Sequence, residues 1–383
     1  MAAESVRGEV KAAMGFSEFR GNQRIVTALR AMLTGERVPH AMLFTGPRGV
    51  GKYTLARMFA QAANCERSKD DFCGACDTCR RIALLAEPQP LIEQGLAERG
   101  PDPDAATVER MPLLLQTHPD VWTIVPDPVR LDNPVKRPVI RLGQLRAVQR
   151  AAYFRPSGRR RVFIIEGADT MRWIYAGAFL KILEEPPESA TLILLAPRPD
   201  ALLDTIQSRC MQFWFAPLAV EKIEAFLKER TELKPAERKL AEQLSGGSPG
   251  AALALDLAES ARLRREVLRI LEQSIEGESY GEVFARTAQL TKGEGVAFEI
   301  LLEMVYTVFT DLLELSHNPR HCALRNPDLR QELERIGARA DLDWFRGAVF
   351  HLDQLHGRLR RNINRNLGLD AMAVSLGQRA RAD

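Results

Sequence analysis

The segment PHAMLFTGPRGVGKYTLARMFAQAA, residues 39–63, runs from a short apolar strand through a glycine-rich turn into a helix. HAMLFTG (40–46) reads as a buried strand ending in glycine, and LARMFAQAA (55–63) carries apolar residues at helical spacing. Between them lies GPRGVGK (46–52). A strand, a glycine loop and a helix start form the context in which backbone N–H groups can cradle phosphate. Gly46, Gly49 and Gly51 permit the turn, and Lys52 is placed to reach the outer phosphates. The ancestry of a nucleotide-binding loop follows.

Outward from this segment, helical and strand-like patterns alternate up to residue 216. QRIVTALRAML (23–33), RLGQLRAVQRAA (141–152) and AGAFLKILEE (176–185) read as helices. DVWTIVP (120–126), RVFIIEG (161–167), TLILLA (191–196) and MQFWF (211–215) read as strands. Alternation of this kind predicts an α/β domain, a parallel sheet with helices on both faces. Residues 86–117 contain five prolines and read as an insertion, part helix and part loop. After Pro217 no convincing strand follows. Residues 217–257 read as a small helical domain interrupted by LSGGSPG (244–250), and 258–383 as a larger all-α domain of amphipathic helices such as 295–315.

Two departures fall on the chemistry that such a loop ordinarily supports. The position after Lys52 should carry a Ser or Thr hydroxyl for magnesium, and here it is Tyr53, whose phenol oxygen is too distant. Thr54 follows, but on a helix it is rotated by about 100° from that position. The second strand should end in two acidic residues. VFIIEGAD (162–169) offers Glu166 for the first carboxylate, then Gly167, which has no side chain to orient a water. Asp169 lies two residues beyond that glycine. Hydrolysis is therefore expected to be lost, and ATP binding to be absent or weak.

Four of the six cysteines, Cys65, Cys73, Cys76 and Cys79, lie within fifteen residues, the last three spaced C-x-x-C-x-x-C. Such turns let four thiolates converge on one tetrahedral ion, a closed structural zinc site. Cys210 and Cys322 are isolated and read as ordinary small side chains. Residues 141–161 hold seven arginines and no acid. Such a run reads first as a solvated helix face, and composition alone does not make Arg141, at a predicted helix start, or the triplet 159–161 contacts for nucleic-acid phosphate. The net charge of +3 and 45% hydrophobic content describe an ordinary globular chain. No apolar run reaches transmembrane or signal-peptide length, so a cytoplasmic protein without membrane partners is expected.

PHAMLFTGPRGVGK (39–52), the cysteine cluster, LKILEEPPESATLILLA (180–196), TIQSRCMQFWF (205–215) and NINRNLGLDAMAVSL (362–376) occur in the order found in bacterial clamp-loader subunits of DNA polymerase III, an AAA+ family that the chain resembles. The resemblance implies an AAA+ P-loop domain over 1–216 carrying a zinc module (65–79), a lid over 217–257 and an oligomerising collar over 258–383. It implies that Arg209, in the SRC motif, acts as an arginine finger on ATP held by the adjacent subunit. It implies gamma/tau and delta subunits as partners, the sliding clamp as a transient one, and primer–template DNA within the assembly, with Arg141 near it. Two members share the layout, the gamma/tau motor and a subunit that does not hydrolyse ATP. Tyr53, Gly167, the turn GGSPGAAL (246–253) without a sensor arginine, and Pro197 near the place of a sensor threonine favour the second, as does the length of 383 residues. Such a chain is no enzyme on its own but part of the polymerase holoenzyme. The alternative is a gamma/tau-type motor.

Overall fold

The structure, a computed structural model, describes residues 15–129, 138–172, 175–276, 280–292, 298–318, 324–358 and 364–379. Cys322 and part of the tail motif at 362–376 lie outside the described residues. The chain divides into two compact units, Met1–Ile223 with Gly247–Ala251, and Glu224–Gly246 with Ala252–Asp383.

The first unit opens with α1 (Gln23–Thr34), β1 (Ala41–Thr45) and α2 (Lys52–Asn64). Next come α3 (Asp77–Ala83), α4 (Pro88–Ala97), α5 (Ala105–Arg110), β2 (Leu114–His118) and β3 (Val121–Ile124). It continues with α6 (Leu142–Ala152), β4 (Arg161–Ile165), α7 (Ala176–Glu184), β5 (Ala190–Ala196), α8 (Asp204–Gln207) and β6 (Met211–Trp214). The six strands lie in the order β2-β3-β4-β5-β1-β6. All neighbours are parallel except β2, which runs antiparallel to β3 at one edge. Every residue of β1, β4 and β5 is buried, as continuous apolar runs require when helices cover both faces.

Strand alternation divides these residues between two cores. Met42, Phe44, Ile164 and Ile193 pack with Leu29 of α1 and Leu55 and Phe59 of α2. Leu43, Phe163, Ile165 and Leu194 pack on the other face with Val148 of α6 and Phe179 of α7. The five anticipated strands all form. The sixth was not anticipated: the segment read as an insertion, 86–117, holds two helices and the edge strand β2. It is fastened by polar contacts. Gln144 Nε2 donates to the carbonyls of Leu113 (2.8 Å) and Val125 (2.9 Å), bridging the approach to β2 and the exit of β3. Arg99 donates to Asp127 at 2.7 Å, a pair with both side chains at most 1% exposed.

Beyond Pro217 come α9 (Val220–Arg230), α10 (Pro235–Leu244) and α11 (Pro249–Ala254). The remaining helices are α12 (Leu257–Glu276), α13 (Tyr280–Lys292), α14 (Phe298–His317), α15 (Arg330–Gly337), α16 (Leu342–Arg358) and α17 (Arg365–Arg379). Val267 and Leu271 of α12, Leu302 and Phe309 of α14, Trp344 and Leu352 of α16 and Leu376 of α17 form one apolar core. The Trp344 indole donates to the Leu376 carbonyl at 3.1 Å, which satisfies its buried N–H. Among the described residues no helix is long and apolar enough to cross a membrane.

Candidate functional site

The glycine-rich loop leaves the carboxyl end of β1, which lies between β5 and the edge strand β6, and delivers the chain to the start of α2. Gly46, Gly49 and Gly51 all have positive φ (143°, 76° and 101°), a backbone that L side chains rarely adopt. The Lys52 ammonium folds back on the loop and donates to the carbonyls of Gly46 (2.6 Å) and Pro47 (2.7 Å). Burial lowers its pKa to about 8, against the opposing pull of Glu166 and Asp169. The turn at residues 247–251 rests directly on the loop. Gly250 N–H donates to the Gly49 carbonyl at 2.8 Å, and a Cβ on Gly49 would stand 2.5 Å from the Ala251 nitrogen. The segment without a sensor arginine thus meets the cradle through bare backbone.

Tyr53 points away from the cradle. Its hydroxyl donates to the Leu85 carbonyl at 2.6 Å and lies 3.5 Å from Thr123 Oγ1. Burial pushes its pKa up to about 12, so it stays a neutral phenol. Its ring packs against the core between the sheet and the helices of residues 77–86. The hydroxyl of the residue after Lys52 is thus engaged with the segment after α3 and with β3, not with the loop. Thr54, on the next position, is exposed.

Glu166 lies just past β4 and is half-buried. Burial raises its pKa, while Arg48 and Lys52 oppose that shift. Gly167 adopts φ 62°, and a Cβ there would sit 2.9 Å from Pro126 Cγ. A left-handed backbone costs a non-glycine residue about 1–2 kcal/mol before any clash is counted. The backbone and its neighbour thus both disfavour any side chain at position 167. The substitution Gly167→Glu is expected to lower stability by about 1–3 kcal/mol and to leave ATP turnover of the isolated chain at background. Appearance of turnover in a phosphate-release assay would overturn this account.

The four thiols converge. Cys65 ends α2, Cys76 caps α3, Cys79 lies within α3, and Cys73 sits in the intervening turn, where Gly74 takes φ 66°. All four Sγ atoms lie within 4.8 Å of one another. Tetrahedral coordination with Zn–S of about 2.3 Å sets sulfurs roughly 3.8 Å apart, so the donor set fits zinc. Three backbone N–H groups already point at sulfur: Cys73 to Cys65 (3.4 Å), Cys76 to Cys73 (3.3 Å) and Cys79 to Cys76 (3.4 Å). The backbone N–H of Ala75, followed by that of Cys76, brings the Cys73 thiol down to about 6, whereas burial pushes the Cys79 thiol up. A divalent cation reverses that penalty for the buried members. Cys210 is half-buried against the opposite core.

Arg209 follows α8 and remains about one-third exposed. Its guanidinium donates to the Thr205 carbonyl (2.9 Å) and to Glu184 Oε1 (2.9 Å). Arg141 precedes α6. Its side chain is 15% exposed, donates to the Val129 carbonyl and lies 3.7 Å from Asp127. The triplet 159–161 serves the interior. Arg159 donates to carbonyls of Ala62, Cys65 and Ser68, closing the end of α2 and the entry to the cysteine turn. Arg160 reaches the Glu188 carbonyl and Thr191, and Arg161 pairs with buried Asp120 at 2.9 Å. These three guanidinia are spent on the fold, which removes the triplet as a free phosphate-binding patch. Asp120, Asp127, Pro126 and Glu184 were missed by the sequence reading. Only Glu184 had a signal, standing at the helix-ending Glu-Glu-Pro-Pro of residues 184–187.

The α/β unit thus carries a glycine-rich loop between β1 and α2 and, after α2, four thiols that could hold a metal ion. The family profile described as "DNA polymerase III, delta subunit" matches residues 21–219, and the chain belongs to this family of clamp-loader subunits. The DNA polymerase III subunit tau of Escherichia coli is 32% identical over 209 residues, 54% of this chain and 26% of that protein. The DNA polymerase III subunit delta' of Bacillus subtilis is 25% identical over 348 residues, 89% of this chain and 92% of that protein. The chain thus spans about a quarter of the length of the tau relative. A DNA polymerase III gamma subunit-related protein of Thermotoga maritima aligns over 93% of this chain and 99% of its own, at TM-score 0.41 and 18% identity.

Proposed function

We propose that the chain is the delta-prime type of clamp-loader subunit, a member that supports ATP-dependent loading of the sliding clamp onto primed DNA without hydrolysing ATP. The observation that carries this reading is Tyr53. Its hydroxyl is bonded to the Leu85 carbonyl, facing away from the place where magnesium and the outer phosphates belong. The left-handed Gly167 supports it at the other catalytic position. Gly46, Gly49, Gly51 and Lys52 then form a relic cradle in which ATP binding is weak or absent. The near end-to-end match to the delta' relative of Bacillus subtilis points the same way.

In this reading residues 1–216 are an AAA+ domain, 217–257 its lid, and 258–383 a collar that joins gamma/tau and delta neighbours in a ring in the cytoplasm. Cys65, Cys73, Cys76 and Cys79 would hold zinc, which supplies rigidity and no chemistry because four thiolates leave no open position. Arg209 is the arginine finger, contributed in trans to ATP bound by a gamma/tau neighbour. Its planar fork of N–H donors suits a developing phosphoryl charge. Near primer–template DNA, the start of α6 offers backbone N–H groups, while Arg141 must first leave Asp127.

The test is reconstitution with gamma/tau and delta. The isolated chain is expected to release no phosphate, and its addition to stimulate the loader. With Arg209→Ala the ring should assemble normally, while one phase of phosphate release slows by on the order of 10³-fold. A second reading, a gamma/tau-type motor, is favoured by the retained Lys52 and Glu166 and by the higher identity to tau. Steady turnover by the isolated chain would select it.

A further inference from the structure

The guanidinium of Arg209 is held from two sides by two separate elements. The Thr205 carbonyl in α8 accepts from Nη1 at 2.9 Å, and Glu184 Oε1, at the last position of α7, accepts from Nη2 at 2.9 Å. A carboxylate at a helix C-terminus is electrostatically misplaced, since the dipole there is already negative. Glu184 therefore gains nothing from its own helix and gains a cation from Arg209. Its position is firm. The Glu185 N–H closes the last turn onto the Lys181 carbonyl at 3.1 Å, the Tyr153 hydroxyl donates to the Glu185 carbonyl at 3.1 Å, and Pro186 and Pro187 follow.

The guanidinium has five N–H donors in a rigid fork, and these two bonds use two of them. Among the described residues it has no other partner, which leaves donors unused on a side chain that is 36% exposed. An unheld arginine would wander over many rotamers, whereas stabilising transferred charge demands placement to a fraction of an ångström.

We propose that Glu184 is the positioning residue of Arg209: it fixes the rotamer in which the unused edge of the guanidinium meets the neighbouring subunit's triphosphate. The proposal rests on the reading of Arg209 as a finger acting in trans. Because the finger's contact strengthens as charge develops, loss of Glu184 should slow the chemical step and leave ATP affinity alone.

The experiment uses the complete loader reconstituted with Glu184→Ala, Glu184→Gln, Arg209→Ala or the Glu184→Ala/Arg209→Ala pair. Assembly is followed by gel filtration, ATP affinity by equilibrium binding, and hydrolysis by pre-steady-state phosphate release on primed DNA. Glu184→Ala is expected to slow the same phase that Arg209→Ala slows, by about threefold to tenfold, with assembly and ATP affinity unchanged. Glu184→Gln keeps an oxygen acceptor and should recover most of the rate. The double variant should be no slower than Arg209→Ala alone. A normal phase in Glu184→Ala beside a slowed one in Arg209→Ala sinks the positioning role alone, as does a double variant slower than Arg209→Ala. A normal phase in Arg209→Ala removes the finger itself, and this proposal with it.

Discussion

Replacing Cys79 with serine is expected to abolish metal binding and to unfold the turn between α2 and α3. Elemental analysis should fall from one zinc per chain to none. Hydrogen exchange over residues 65–83 should rise to that of an unstructured segment, and Tm should drop. The physical reason is that little else can order this stretch. Helix α3 has seven residues, below the length at which a helix is stable on its own. Its first cap is a sulfur, Cys76 Sγ, accepting from the Cys79 N–H. Three of the four thiols are buried. Without a cation the N–H groups aimed at them meet only uncoordinated sulfur, a weak acceptor. Structural zinc contributes on the order of 10 kcal/mol to the folding of small modules at neutral pH. Here part of the loss is cushioned. Gln61 Nε2 still donates to the Cys79 carbonyl at 2.9 Å, and Arg159 still grips the carbonyls at the end of α2. The global fall should therefore be smaller than the local one, and exchange should report more than Tm. A Cys79→Ser chain with unaltered exchange over 65–83 would mean that the cluster carries no structural metal.

What could be read without coordinates follows from which interactions are local. The strands at 41–45, 161–165 and 190–196 are continuous apolar runs because both faces are covered, and such runs announce themselves. Strand β2 does not. LLQTH alternates only partly, sits two residues after Pro112, and is a strand because β3 pairs with it. The loop glycines and the four cysteines were legible because their chemistry lies in spacing. The arginines of 141–161 were not, because an arginine run reads as a solvated face until its partners are known. Of those partners Asp127 stands before the run, whereas Asp120 and the carbonyls at the end of α2 lie 41 and 94–97 residues from the arginines they meet. Gly167 was legible as a missing carboxylate, but its positive φ and the neighbouring Pro126 ring, which explain why glycine stands there, were not.

Arg264 carries the same lesson in the helical unit, and with it the second large effect. It lies in α12 among ARLRREVLRI (261–270), where only its spacing, three, four and seven residues before Val267, Leu268 and Leu271, sets it apart from the solvated Arg262 and Arg265. In the fold it is wholly buried. It forms a bidentate pair with Asp328 (2.7 and 3.0 Å) and also donates to Asn326 Oδ1 at 3.2 Å and the Ser260 carbonyl at 3.3 Å. Asn326 in turn donates to buried Asp311, which also accepts from the Arg325 N–H. One guanidinium therefore ties α12 to the segment leading into α15, and through Asp311 to α14. The two ends of the ion pair are unequal. Asp328 is 27% exposed and can recover water, whereas Arg264, at 1%, cannot. Asp328→Ala strands a buried charge and is expected to cost about 3–5 kcal/mol. Arg264→Met removes the charge, keeps an apolar stem in its place and leaves mainly the Asn326 oxygen unmet, for about 1–3 kcal/mol. Adding Arg264→Met to Asp328→Ala should then restore stability instead of lowering it further. Urea denaturation of the full chain, followed by the helical circular dichroism signal, measures all three. Simple addition of the two losses in the double variant would mean that Arg264 is not held as a desolvated cation.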